Sequence, residues 1–202
     1  MTGVQTCALP ILKAQDIVEK LKKDAGSVTF AMSAPPGSQN WLSVIQFAKI
    51  AGADPRKVRF AINSTGADTI TQTVGGHADV GVGGTDSALP LTQSGKAHVI
   101  GTLTPERLGG PLAGWPTMRE QGVNAMSSNW YAIVGARGIT AEQAAYWEKV
   151  FRAAGETKDS TDFADKSFWT HDMVGTKDFQ AFVDDSIKTQ KVVMEELNLI
   201  KK

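Results

Sequence analysis

The sequence predicts an α/β fold built on a largely parallel sheet, and three observations support this class. Short β-rich runs alternate with amphipathic stretches of helical period along most of the chain, which is typical of βαβ units. Clusters of Gly, Pro, Ser and Asn separate these runs and mark turns between them. The composition, with 42% hydrophobic and 21% charged residues, is that of an ordinary globular domain.

The periodicity places each element in order. A charged amphipathic helix is predicted over 14–23, with Ile17, Val18 and Leu21 on its apolar side. Strands are predicted at 28–32, 58–62, 79–82 and 99–103, and the helices between them at 38–52, 67–74 and 87–93. Ser38 can cap the first of these helices. The apolar positions are Trp41, Val44, Ile45 and Ala48 in the first helix and Ala67, Ile70 and Val74 in the second. After a loop at 109–116 we expect a strand at 130–134, a helix opened by a Thr140–Gln143 capping box, and a terminal helix over 176–197.

Charge and motifs argue against several functional classes. Lys and Arg number 21, as do Asp and Glu, so the chain lacks the basic excess that nucleic-acid binding requires. No apolar run approaches the roughly 18 residues of a membrane span. The three histidines lack metal-ligand spacing, and neither a P-loop nor a G-x-S-x-G elbow occurs. We therefore expect no catalytic residue, no metal and no cofactor.

Three predicted strand-to-helix junctions are rich in Gly, Ser, Thr and Asn: residues 33–40, 63–66 and 83–87. The carboxyl ends of parallel strands share one sheet edge, where ligands of open α/β folds bind. Each loop also opens a helix, whose unpaired N–H groups hold carboxylates or phosphates without Arg or Lys. The same residue types also serve as plain N-caps and turns, so both interpretations stay open on the pattern alone.

The first residues differ from the rest of the chain. Residues 1–11 read MTGVQTCALPI, carry no charge and show no apolar period, and they resemble a translated sequencing adapter. We interpret them as non-native and exclude them from the fold. On this interpretation Cys7, the only cysteine, is not native, and a signal peptide upstream of Leu12 has been lost.

From Leu12 to Lys202 the chain resembles the extracytoplasmic receptors of tripartite tricarboxylate transporters, the Bug receptors. Each matching segment is weak by itself, and their order and spacing are specific. The segments are residues 24–30, 37–38, 64–67, 75–80, 94–96, 104–108, 116–117 and 120–122, and Trp130.

The resemblance implies a two-lobed periplasmic-binding-protein-like fold of type II with an incomplete first lobe. Residues 12–127 would form the second α/β lobe, and 128–202 would be the C-terminal part of the first lobe, with a return strand and helices. The glycine-rich loop of the first lobe would be missing, so we expect this chain to bind ligand poorly or not at all. Apolar surface on Trp147, Phe151 and the terminal helix would then be exposed.

The resemblance also implies a function and a site. The chain would be a monomeric periplasmic receptor that binds a small organic carboxylate and delivers it to the permease subunits of the transporter. Ser38 and Thr65 are the expected donors to carboxylate oxygens. Asp86 would repel a carboxylate, and would instead accept from an ammonium or hydroxyl or orient the loop. The full set of expected contacts is Gly37, Ser38, Asn40, Ser64, Thr65, Gly66, Thr85 and Asp86.

Two other functions compete with this interpretation. The effector-sensing domain of a LysR-type transcription regulator shares the two-lobed fold, and the terminal helix and the family-like segments argue against it. A truncated small α/β transferase could have its catalytic residues upstream of Leu12.

Overall fold

The structure is a computed structural model of the 202-residue chain. It describes residues 2–5, 11–127, 130–170 and 173–200. The chain divides into two compact units, Met1–Asn129 and Trp130–Lys202. The predicted boundary between 127 and 128 adjoins residues 128–129, which lie outside the described part. The assignment of the two units to the second and first lobes stays a prediction.

The first unit is a five-stranded sheet with helices between its strands. The strands are β1 (Thr2–Gln5), β2 (Thr29–Met32), β3 (Arg59–Ile62), β4 (Val80–Gly83) and β5 (His98–Thr102). The helices are α1 (Ala14–Lys23), α2 (Gln39–Ile50), α3 (Gly66–Val74) and α4 (Thr85–Gln93). A short 3-10 turn, Pro55–Lys57, precedes β3, and two more follow β5 at Gly110–Leu112 and Arg119–Gln121. The α/β class is confirmed.

The strand order is β3-β2-β4-β1-β5. β2 pairs in parallel with both β3 and β4, and β1 runs antiparallel to both β4 and β5. Four strands therefore run in one direction, and only β1 opposes them. This agrees with the predicted largely parallel sheet, whose connections cross over through helices.

The helices bury the faces that the period predicts in two cases and a different face in a third. Ile17, Val18 and Leu21 of α1 are buried as predicted, and so are the four predicted apolar positions of α2. In α3 the buried residues are Thr69 and Thr73. Thr73 lies against β4 at Gly81, where a Cβ would stand 2.7 Å from its Oγ1. Glycine in the strand thus leaves room for a threonine hydroxyl.

The exclusion of residues 1–11 from the fold is wrong for part of this segment. Residues 2–5 form β1, which pairs along its whole length with β4 and β5. Ile11 is fully buried, and its carbonyl oxygen lies 3.1 Å from Nε2 of His98 on β5. Main-chain pairing needs no particular side chains, so a segment without an apolar period can still complete a sheet. Cys7 lies outside the described residues, and the non-native origin of the segment stays a prediction.

In the described part of the second unit, the regular secondary structure is helical. It contains α5 (Ala141–Gly155), α6 (Lys158–Ser167) and α7 (Thr176–Glu196). The strand predicted at 130–134 is wrong, because the described residues of this unit include no strand with which it could pair. Instead Trp130 packs edge-on against Phe179 and Phe182, with ring centroids 5.3 and 5.7 Å apart. No helix in the described parts of either unit is long and apolar enough for a bilayer span.

Candidate functional site

The three polar loops of the first unit follow neighbouring parallel strands. Residues 33–38 follow β2, 63–65 follow β3, and Gly84 follows β4. From β2 the chain crosses to β3, toward one lateral edge of the sheet. From β4 it crosses to β5, toward the opposite lateral edge. The loops after these two adjacent strands therefore lead in opposite directions. Such a switch point creates the crevice in which open α/β sheets bind ligands.

A cavity of about 90 Å³ lies at this edge of the first unit. None of the residues that line it is charged, and they come from strand β4, the helices α2, α3 and α4, and the loops after β2 and β4. The junction after β3 contributes Gly66, the first residue of α3. The lining residues are Ser33, Asn40, Gly66, Thr69, Ile70, Thr73, Gly81, Val82, Gly83, Gly84, Ser87, Ala88 and Leu91.

The start of α2 offers a hydroxyl donor without a competing acid. Ser38 is the N-cap, and its Oγ accepts a hydrogen bond from the main-chain N–H of Trp41 at 3.3 Å. The predicted cap is confirmed. The cap uses Oγ as an acceptor, which leaves the hydroxyl hydrogen for a ligand. The first turn of α2 contains no acidic residue, so the partial positive charge of this helix end is not neutralised locally.

The start of α3 already holds a carboxylate. Asp68 Oδ2 accepts from the Thr65 hydroxyl at 2.8 Å and from the Thr65 main-chain N–H at 3.2 Å. Thr65 Oγ1 in turn accepts from the Asp68 N–H at 3.1 Å, which completes a capping box. The Thr65 hydroxyl therefore uses both its donor and an acceptor lone pair within the helix. Donation to a ligand would require its bond to Asp68 to break first.

The start of α4 also carries an acid. Gly84 is the N-cap and gives no side-chain cap, while Asp86 lies in the first turn and is exposed. The Asp86 carboxylate lies over Gly84 so closely that a Cβ there would collide with Oδ1. At Gly66, the first residue of α3, a Cβ would stand 3.6 Å from Ser87 Oγ. The starts of α3 and α4 thus approach closely where small residues permit it.

The structure brings some of the predicted contact residues together at the cavity and leaves others outside it. Asn40 and Gly66 line the cavity. The remaining six are not among its lining residues, although they lie in the same loops or first turns: Gly37, Ser38, Ser64, Thr65, Thr85 and Asp86. Their roles as ligand contacts stay predictions.

Four more polar residues line the cavity and are absent from the expected contacts: Ser33, Ser87, Thr69 and Thr73. Ser33 and Ser87 lie within the predicted junctions, whereas the two threonines lie outside them. The two threonines lie within α3, where the apolar pattern indicates a different buried face. The signal that could have found them is their spacing of four residues, which places both on one side of the helix.

Asn40 lies in the first turn of α2 and has a buried amide oxygen without a partner. Its Oδ1 has no hydrogen-bond partner in the described structure. Buried polar atoms are nearly always hydrogen-bonded in native proteins. The unpaired Asn40 oxygen is therefore an exception to this rule, in a residue that also lines the cavity.

Two other features do not contribute to this cavity. Trp41 is only 5% exposed and packs against Phe60 with ring centroids 5.9 Å apart, so it serves the core. Within the described residues, no three His, Cys, Asp or Glu side chains gather as a metal site would require.

The chain matches the model of the tripartite tricarboxylate transporter family receptor over residues 1–199. It belongs to this receptor family. The match favours the receptor interpretation over the regulator domain and the transferase. No curated protein sequence matches the chain significantly.

Solved structures share the fold at low sequence identity. An R. palustris protein with adipate is 19% identical with a TM-score of 0.80, over 98% of this chain and 64% of that one. The periplasmic binding protein BugD is 16% identical with a TM-score of 0.76, over 100% of this chain and 67% of that one. MatC from Rhodopseudomonas palustris with bound malate is 17% identical with a TM-score of 0.61, over 79% and 53%. These solved structures confirm the periplasmic-binding-protein fold, and the chain spans between 53% and 67% of their lengths.

Proposed function

We propose that this chain is the solute-binding receptor of a tripartite tricarboxylate transport system. It captures a small organic carboxylate outside the cytoplasm and delivers it to the permease subunits in the membrane. The observation that carries the proposal is the convergence of three strand-to-helix loops on one uncharged cavity, in a chain of this receptor family.

The chemistry of the loops suits reversible capture of an anion. The start of α2 offers main-chain N–H groups and the Ser38 hydroxyl, and its first turn carries no acid. No Arg or Lys lines the cavity, so a carboxylate would be held by neutral donors. Such bonds exchange with water more readily than a buried ion pair, whose separation leaves an uncompensated charge. A delivery protein must release its ligand.

The solved relatives support a carboxylate ligand. One is described with adipate and another with bound malate. This chain spans 64% of the length of the first and 53% of the second. Transport by the whole protein, monomeric state, periplasmic location and the absence of an enzymatic activity therefore belong to the proposal.

Titration of the isotope-labelled chain by NMR tests this function, because chemical shifts also detect the weak binding that we expect here. Adipate or malate should shift amide resonances at residues 33–40, 63–66 and 83–87 in a saturable manner. Adipamide, the neutral diamide of adipate, is the matched control and should leave them unchanged. If no carboxylate shifts these resonances, or if the diamide acts equally, the proposed carboxylate receptor is wrong.

A further inference from the structure

The cavity of the first unit extends from the polar edge of the sheet inward between α3 and α4. Both helices begin at that edge, so lining residues one or two turns into either helix lie away from the loops. These residues are Ile70 and Thr73 on α3, and Ala88 and Leu91 on α4. Together they define the inner part of the cavity.

Strand β4 gives the inner part of the cavity a floor without side chains. Gly81 and Gly83 are two residues apart, so they face the same side of the sheet, and both line the cavity. A Cβ at Gly81 would stand 2.7 Å from Thr73 Oγ1, so this side faces α3. A Cβ at Gly83 would meet no atom within 4 Å. The space over Gly83 is therefore open and has room for a methyl group.

The walls of the inner part offer a ligand mainly carbon surface. Three of its four side chains are aliphatic, and the fourth belongs to Thr73, which is 1% exposed. Thr73 Oγ1 donates to the Thr69 carbonyl at 2.7 Å, so its hydrogen is already bonded within α3. A carboxylate only accepts hydrogen bonds, and it would find no free hydroxyl donor among these four described side chains. An alkyl group, in contrast, gains free energy by leaving water.

From this arrangement we infer that the inner part of the cavity receives a short alkyl end of the bound carboxylate. The carboxylate itself stays at the polar edge, where the loops and the start of α2 offer neutral donors. The inference rests on the proposed carboxylate receptor and adds a second group that this receptor recognises. An apolar cavity of about 150 Å³ holds benzene, so a volume of about 90 Å³ has room for three or four carbon atoms.

A series of straight-chain acids tests the inference by NMR titration of the full chain. Acetate, propanoate, butanoate, pentanoate and heptanoate share one carboxylate and differ only in alkyl length. We expect affinity to rise about fourfold per added carbon up to butanoate or pentanoate, the factor that corresponds to about 0.8 kcal/mol per buried CH₂. Affinity should then level off at heptanoate, because the inner part is full. The longer acids, unlike acetate, should shift the methyl resonances of Ile70, Ala88 and Leu91.

Three variants assign the gain to the inner part of the cavity. Gly83→Ala adds a methyl group in the open space, at a residue whose φ is not positive, and should lower the pentanoate-to-acetate affinity ratio about fourfold. Leu91→Ala removes a half-buried wall and should move the levelling of affinity to a longer acid. Leu89→Ala is the matched control on the same helix. Leu89 is also half-buried and does not line the cavity, so every ratio should stay unchanged.

The outcomes separate this inference from the proposed function. Affinity that does not depend on alkyl length, or that keeps rising to heptanoate, would overturn the inference while the carboxylate receptor stands. So would a gain that both Gly83→Ala and Leu91→Ala leave unchanged. The absence of saturable shifts with every acid of the series would overturn the receptor function itself, and the inference with it.

Discussion

At the residue scale, Ser38 and Thr65 both place a hydroxyl at the N-cap of a helix, but they differ in whether the hydroxyl hydrogen is already bonded within that helix. Both accept a main-chain N–H as N-caps. The Thr65 hydroxyl also donates to Asp68 at 2.8 Å. The cap at Ser38 uses the hydroxyl oxygen only as an acceptor and does not engage the hydroxyl hydrogen. The sequence predicts Ser38 as a cap and Thr65 only as a polar junction residue. The bond between the Thr65 hydroxyl and Asp68 becomes evident only from the structure.

We therefore expect the alanine substitutions to have unequal effects on carboxylate binding. Ser38→Ala should weaken adipate or malate binding by about 1–1.5 kcal/mol, because it removes a hydrogen bond to a charged group. Thr65→Ala should weaken binding less, because its hydroxyl hydrogen is bonded within α3. NMR titration of both variants measures the difference.

Stability must be measured in parallel, because each substitution also removes a cap, at a cost of about 1 kcal/mol. Ser38→Thr keeps both the cap and the donor and is the matched control. Equal losses of affinity in Ser38→Ala and Thr65→Ala would contradict the difference argued from the Asp68 contact.

At the element scale, the features that depend on residues close in sequence were predicted correctly. The features that depend on a partner distant in sequence were not. The Thr140–Gln143 capping box opens α5 as expected, with reciprocal bonds of 2.9 and 3.2 Å, since a cap depends only on residues three apart. The strand predicted at 130–134 fails because a strand needs a neighbour that its own sequence cannot specify. Strand β1 was missed because main-chain pairing holds it. Helix α6 was missed because only Phe163 and Ala164 of its ten residues are apolar.

The same distinction applies to the candidate site. Loops at the carboxyl ends of parallel strands follow from the βα alternation, so the edge of the sheet was predictable. Thr69 and Thr73 were not, because their burial depends on Gly81 of another strand. The unpaired Asn40 oxygen was equally hidden, since the absence of a partner is a property of the folded neighbourhood.

The start of α7 provides a pH-dependent test at this scale. Gly175 gives no side-chain cap, and Glu148 of α5 takes that role by accepting from the Thr176 hydroxyl at 2.7 Å and from its N–H at 3.1 Å. The Thr176 hydroxyl, its N–H and the nearby Arg152 hold the pKa of Glu148 below its ordinary value. A lowered pKa in the folded state means that the contact stabilises above the ordinary carboxyl range and is lost as pH falls through the lowered pKa.

Thr176→Val should therefore raise the pKa of Glu148 toward its ordinary value, because it removes the largest cause of the shift. An NMR titration of the Glu148 carboxyl carbon measures this pKa directly. Thr176→Ser restores the hydroxyl and should restore the low pKa. An unchanged pKa in Thr176→Val would mean that the hydroxyl contact does not form in solution.

At the scale of the whole molecule, the two units differ in how well they bury apolar surface. The first unit contains nearly all of the buried hydrophobic residues in the described part of the chain. In the second unit, the 21-residue helix α7 has no buried residue, and Trp147 is 51% exposed. The expected exposure of Trp147 and the terminal helix is thus observed, whereas Phe151 is half-buried and stacks on Trp147. The two units should differ in stability accordingly, since most helical stability in proteins comes from tertiary packing.

Hydrogen exchange should resolve this difference. Amides of β2 and β4 exchange only through opening of the sheet, whereas amides of α7 need only local fraying. We expect the protection factors of α7 to be lower than those of β2 and β4 by about 100-fold or more, because local opening free energies extend down to nearly zero where packing is sparse. The measurement is repeated at two protein concentrations, since a second copy covering the exposed aromatic side chains would make protection of α7 concentration-dependent. Equal protection in β4 and α7 at both concentrations would contradict the unequal packing of the two units.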